Sequence, residues 1–202
     1  LVMCKKAGIS LAFKAIEEKD KVGLMVFGKE IKQEIMPTDD FLMLLKEISV
    51  IKATSETDFG VTIKRAINMF PAEDVTKHLL ILTDALPTVG KDPQQETLDA
   101  ANIAAANGIT ISVVGINLDK PGKILAKKLA ETGNGKLYVV KDVKEIDKIV
   151  LQDYYSLWFL FLIWYVVLLR NNEWTKNNIH GIDGLFPAEN ILFASFYSDH
   201  LA

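Results

Sequence analysis

The stretch K-H-L-L-I-L-T-D-A-L-P-T, Lys77 to Thr88, decides the fold. Four apolar residues, Leu79 to Leu82, run into Thr83 and Asp84, and Pro87 forbids a regular continuation. An unbroken apolar run of this length, closed by a carboxylate and a breaker, predicts a buried parallel strand that delivers one acid to a sheet edge. Open α/β sheets bind their ligands outside the carboxyl ends of their strands, so Asp84 is the first candidate functional residue. The plainer reading makes Asp84 only the opening of the turn that Pro87 completes.

Upstream of this strand, Met3, Ala7, Leu11, Ala12 and Ile16 recur at helical spacing and predict an amphipathic helix from the start of the chain. Val22 to Phe27 is a short apolar run ended by Gly28, and Ile31 to Ile35 reads as a more polar edge strand. A helix follows in which Phe41, Leu42, Leu45 and Ile48 form the expected buried stripe, capped by Thr38 or Asp39. The polar loop A-T-S-E-T-D leads into a helix whose apolar face is Phe59, Ile63, Ala66, Ile67 and Phe70, with Thr57 and Asp58 where an N-cap belongs.

Downstream lie a helix from about Gln94 to Asn107 closed by Gly108, a strand at Ile109 to Ile116, and a helix around Leu125 to Thr132 stopped by Gly133. A strand at Lys136 to Val140 and a helix from Val143 to about Tyr155 complete the pattern. Strands alternating with helices predict parallel β-α-β units, hence a doubly wound, mostly parallel, Rossmann-like sheet with helices on both faces.

The character changes at Leu157, where L-W-F-L-F-L-I-W-Y-V-V-L-L carries no charged side chain. The predicted organisation is a domain over 1–156, an apolar segment over 157–169 and an irregular tail over 170–202. Thirteen residues as a helix span ~20 Å, short of the ~30 Å hydrocarbon core. The apolar segment has three readings: a membrane segment, a non-native tail, or a surrogate strand packed into the sheet. The lysines at 141, 144 and 148 favour a cytoplasmic location for the domain if the segment enters a membrane.

The net charge of −3, with both signs interspersed, gives no nucleic-acid footprint. Cys4 is the one cysteine, which excludes an intramolecular disulfide and a multi-cysteine metal site. No G-x-G-x-x-G or G-x-x-x-x-G-K-[ST] follows a strand, which leaves nucleotide chemistry without support. His78, His180 and His200 are scattered, and His78, placed just before a strand, reads as a surface residue. No catalytic residue is assigned.

The lines K-V-G-L-M-V-F-G at Lys21 to Gly28, S-E-T-D-F-G-V-T-I-K-R-A-I at Ser55 to Ile67 and L-I-L-T-D-A-L-P-T at Leu80 to Thr88 resemble, in order, those of a von Willebrand factor type A domain. G-I-T-I-S-V-V-G-I-N-L-D and G-K-L-Y-V-V are similar to archaeal cytoplasmic members. The resemblance implies a non-catalytic interaction module. In that family a divalent cation, magnesium or manganese, sits at the carboxyl edge of the sheet in a metal-ion-dependent adhesion site and bridges to a carboxylate of a partner protein. Carried over by position, the threonine ligand is Thr57 and the aspartate ligand is Asp84, with Asp58 beside Thr57.

The family's D-x-S-x-S motif, which follows its first and central strand, occurs nowhere in the sequence. The expectation is therefore a sheet lacking that strand and a site lacking that loop, with either residues upstream of Leu1 supplying both or the chain being a truncated and poorly stable product. Thr57 and Asp84 alone are expected to bind metal weakly. The alternative is a phosphoacceptor receiver, with Asp84 as acceptor, Asp39 and Asp40 as its acidic pair and Lys120 before Pro121 as its lysine turn. A receiver needs two strands between acceptor and lysine, and here only Ile109 to Ile116 intervenes.

Overall fold

The computed structural model describes residues 2–52, 57–72, 75–84, 86–140 and 191–196. Its elements are α1 (Val2–Glu17), β1 (Lys21–Phe27), β2 (Ile31–Thr38), α2 (Phe41–Val50), α3 (Phe59–Ile67), β3 (Lys77–Thr83), α4 (Pro93–Ala106), β4 (Ile109–Ile116), α5 (Lys120–Thr132), β5 (Asn134–Val140) and β6 (Ile191–Phe196). The expected helix from Val143 and the apolar segment 157–169 lie outside the described residues. Among the described residues no helix is long and apolar enough to cross a membrane.

One sheet runs in the order β2-β1-β6-β3-β4-β5. All neighbours are parallel except β2, which pairs antiparallel with β1 at one edge. Charged side chains and Pro37 on β2 suit an edge, because they blunt pairing with foreign strands.

The strands alternate their side chains between two cores. Leu24 and Val26, Leu80 and Leu82, and Val114 and Ile116 face α1 and α2 on one side. Met25 and Phe27, Leu79 and Ile81, and Ile111 and Val113 face α3, α4 and α5 on the other. Strands with both faces covered need apolar residues at every position, which is why β1 and β3 read as continuous runs rather than alternations.

The largest departure from expectation lies in the tail read as irregular, where Ile191–Phe196 forms a strand in the centre of the sheet. It pairs parallel with β1 from Lys21↔Ile191 to Val26↔Phe196, and with β3 from Lys77↔Ile191 to Leu82↔Phe196. The position expected to be vacant is thus filled, by a later segment than the one considered for it. Two inner strands cannot leave a row of buried N–H and C=O groups unpaired, at about 1 to 3 kcal/mol each, so any extended apolar run able to reach the gap is driven into it.

Smaller corrections concern individual side chains. Asp40, not Thr38 or Asp39, caps α2, its carboxylate accepting from the Met43 N–H at 2.9 Å. That register buries Leu44 and Ile48 and leaves Leu42 75% exposed, so the stripe is rotated from the one predicted. His78 is not a surface residue: β3 begins one residue before it, its backbone pairs with Thr110 of β4 and Leu192 of β6, and its side chain is buried. Gly108 closes α4 with φ of 72° as expected, whereas after α5 it is Asn134, at φ 57°, that takes the left-handed conformation.

Candidate metal site at the carboxyl edge of the sheet

Three chain segments meet where β1 and β3 end. Gly28 follows β1, and its carbonyl accepts from the Asp58 N–H at 2.9 Å. The carbonyl of Thr57 accepts from the N–H groups of Thr88 and Val89 at 2.9 and 3.2 Å, while its own N–H donates to Thr88 Oγ1 at 3.0 Å. The Thr57–Asp58 pair is thereby clamped between the end of β1 and the loop that follows Asp84. The far end of that loop is fixed by Glu96 of α4, whose Oε1 accepts from the Lys91 and Asp92 N–H groups at 3.0 and 3.3 Å. Asp92 caps α4 in turn, accepting from the Gln95 N–H at 3.1 Å. Carboxylates reaching back to orphan N–H groups at a helix start make this loop a rigid extension of the helix.

Each predicted site residue has a distinct setting. Thr57 is fully buried, and its Oγ1 has no hydrogen-bond partner among the described residues. A buried hydroxyl left without a partner costs about 1 to 3 kcal/mol, so natural structures keep one only where something else meets it. Asp84 directly follows β3 and is half-buried. Asp58 caps α3, its Oδ1 accepting from the Val61 N–H at 2.9 Å. The structure thus brings Thr57, Asp58 and Asp84 to one edge, with one carboxylate oxygen of Asp58 engaged at the start of α3. Among the described residues no group of three or more His, Cys, Asp or Glu side chains is arranged to hold a metal ion.

The first turn of α1 reaches the same edge. Burial pushes the Cys4 thiol up to about 12, and the neighbouring Asp84 carboxylate adds to the shift by opposing a second negative charge. Cys4 is thus protonated at any physiological pH and inert as a nucleophile. Iodoacetamide at pH 8 is expected to label Cys4 at least tenfold more slowly in the native protein than in urea, with mass spectrometry as the readout. Because the folded value lies above the unfolded one, near 9.0, the stabilisation this thiol contributes is complete below pH 9 and is lost as the pH climbs toward 12.

Sequence reasoning missed Thr88 and Glu96, which fix the loops. The spacing of Asp92 and Glu96 around Pro93 was the available signal, since it is that of a capped helix start.

The sequence profile of the von Willebrand factor type A domain matches residues 7–152. The chain belongs to the von Willebrand factor type A family. This type A domain is similar in structure to an aerotolerance-related membrane protein from Bacteroides fragilis NCTC 9343, with 21% identity, a TM-score of 0.59, and coverage of 74% of this chain and 87% of that one. It is similar to BatB from Bacteroides thetaiotaomicron, with 20% identity, a TM-score of 0.61, and coverage of 76% and 87%. The SpRpn10 VWA domain matches at 12% identity with a TM-score of 0.59, over 71% of this chain and 80% of that one. At these identities the likeness is one of fold. No curated protein sequence matches the chain significantly. Type A domains are in general protein-interaction modules, often metal-dependent, and the assignment leaves the receiver alternative without support.

Proposed function

We propose that this type A domain is a non-catalytic interaction module in which Thr57 and Asp84 hold a magnesium or manganese ion that bridges to a carboxylate of a partner protein. The observation that carries the reading is the fully buried Thr57 Oγ1, which has no partner among the described residues, on a residue clamped onto the loop that follows Asp84. A hydroxyl and a carboxylate are hard oxygen donors of the type magnesium selects, and water completes its shell. When bound, the ion supplies an open coordination position that a carboxylate can fill. The chain's own residues do the rest: the Thr88 and Val89 N–H groups orient Thr57, and α4 holds their loop in place. Asp58 acts as the cap that fixes the start of α3. Two protein ligands make a weak site, and capture through it is reversible by chelation. Membrane association through the apolar segment 157–169 belongs to the same proposal.

The test is thermal unfolding with and without Mg2+, read against two variants. At a Mg2+ concentration ten times its Kd, the unsubstituted chain should gain about 1.4 kcal/mol. Asp84→Ala should lose that gain. Thr57→Val removes the buried orphan hydroxyl and should therefore stabilise the metal-free protein by about 1 kcal/mol while abolishing the response to Mg2+. An Asp84→Ala chain that responds to Mg2+ as fully as its parent overturns the proposal, as does a parent that does not respond at all.

A further inference from the structure

The central strand of the sheet differs from the others in how it is connected. β1 and β2 form a hairpin, and β3, β4 and β5 are joined in sequence through α4 and α5. β6 alone enters between these two groups, after the intervening residues 141–190. Its placement rests on two parallel ladders, one to β1 and one to β3, in register along its whole length. Backbone ladders of this kind do not record which molecule the inserted strand belongs to.

We propose that the gap between β1 and β3 is a strand-acceptor slot, and that a second copy of this chain fills it by donating its own Ile191–Phe196 in exchange. The exchange is reciprocal: each slot receives the other copy's strand, so the dimer is closed by a two-fold axis and leaves no inner edge unpaired. The intervening segment permits it. It is fifty residues long, and the entropic cost of closing it, which grows slowly with length, leaves the chain's own strand only a modest advantage over a strand from a second copy. A long tether corresponds to an effective concentration of about 1 mM or below. The monomer therefore prevails when dilute chains fold, and the swapped dimer prevails when concentrated chains fold.

Met25 and Ser195 are Cα partners across β1 and β6, which makes them a reporter of whose strand occupies the slot. A Cys4→Ala chain carrying Met25→Cys and Ser195→Cys, mixed from isotope-labelled and unlabelled copies, is refolded at about 1 µM and at about 1 mM and then oxidised. The expected result is a 25–195 disulfide within one chain at low concentration and between labelled and unlabelled chains at high concentration. Intrachain linkage alone at both concentrations overturns the proposal. Because the triple variant could fail to fold, the unsubstituted chain is refolded in parallel and its mass measured by light scattering. A rise from 22.5 kDa at low concentration to twice that value at high concentration supports the exchange, and a monomer throughout overturns it.

Discussion

Ala194→Pro is expected to lower the urea midpoint of unfolding more than any other single change in the tail, and at the least to broaden the transition into a non-cooperative one. Ala194 sits at the middle of β6, opposite Leu24 of β1 and Leu80 of β3. In a strand paired on both sides, every interior N–H is committed to one neighbour or the other, so proline removes a ladder bond wherever it is placed. The carbonyl left behind on β1 or β3 is buried, at a cost of about 1 to 3 kcal/mol, and the ring's collision with adjacent backbone adds to that. The loss falls where both cores depend on it: Val22, Leu24 and Val26 share one core with Leu80 and Leu82, and Met25 and Phe27 share the other with Leu79 and Ile81. Parting β1 from β3 therefore opens both faces of the sheet at once. A domain with the usual stability of about 5 to 15 kcal/mol loses a large share of it. An Ala194→Pro protein with the parent's midpoint would mean that β6 is not in the ladder in solution.

That strand was also the part of the fold least legible in the sequence. β1, β3 and β4 announce themselves because both faces are covered, which favours a mostly apolar, β-branched-rich run between two turn signals. Ile191 to Phe196 is apolar as well except for Ser195, but its partners are set by a vacancy elsewhere in the sheet, and no local pattern encodes its pairing with β1. The reading that a central strand was missing came from the resemblance to the family, whose D-x-S-x-S motif has no counterpart in the sequence. The segment that replaces it did not.

The site divides in the same way. The placement of Asp84 at the carboxyl edge was legible from the strand end alone, and that of Thr57 beside the end of β1 only through the resemblance to the family. The commitment of Asp58 to the α3 cap shows why an Asp beside a helix start cannot be sorted into ligand or cap by sequence: both roles need a short carboxylate at the same position. His78 shows the converse limit, since a polar residue at the mouth of an apolar run looks like its boundary until the ladder places it inside.

The second large effect is expected at the other end of the sheet, from Gly135→Ala. Gly135 follows Asn134, whose left-handed backbone turns the chain out of α5 and into β5. The turn sets β5 against β4 so closely that a Cβ at Gly135 would overlap the Ile111 carbonyl oxygen and lie 2.8 Å from Ser112 Oγ. Neither neighbour can yield. Ile111 is fully buried, its N–H donates to the Gly133 carbonyl at 2.8 Å, and Ser112 Oγ accepts from the Lys136 N–H at 3.2 Å. The obstacle is chiefly backbone rather than the end of a flexible side chain, so relief requires β5 to move away from β4 and to break those bonds. Forcing atoms into a packed interior costs about 1 to 3 kcal/mol, and the broken bonds place this substitution at or above the upper end. Gly108→Ala is the instructive comparison. Its φ of 72° strains an alanine, but no atom lies within 4 Å of the added Cβ, so its loss should stay near 1 kcal/mol. Urea unfolding of the two variants side by side separates steric collision from backbone strain, and equal losses would mean that the β4–β5 approach is looser than the structure has it.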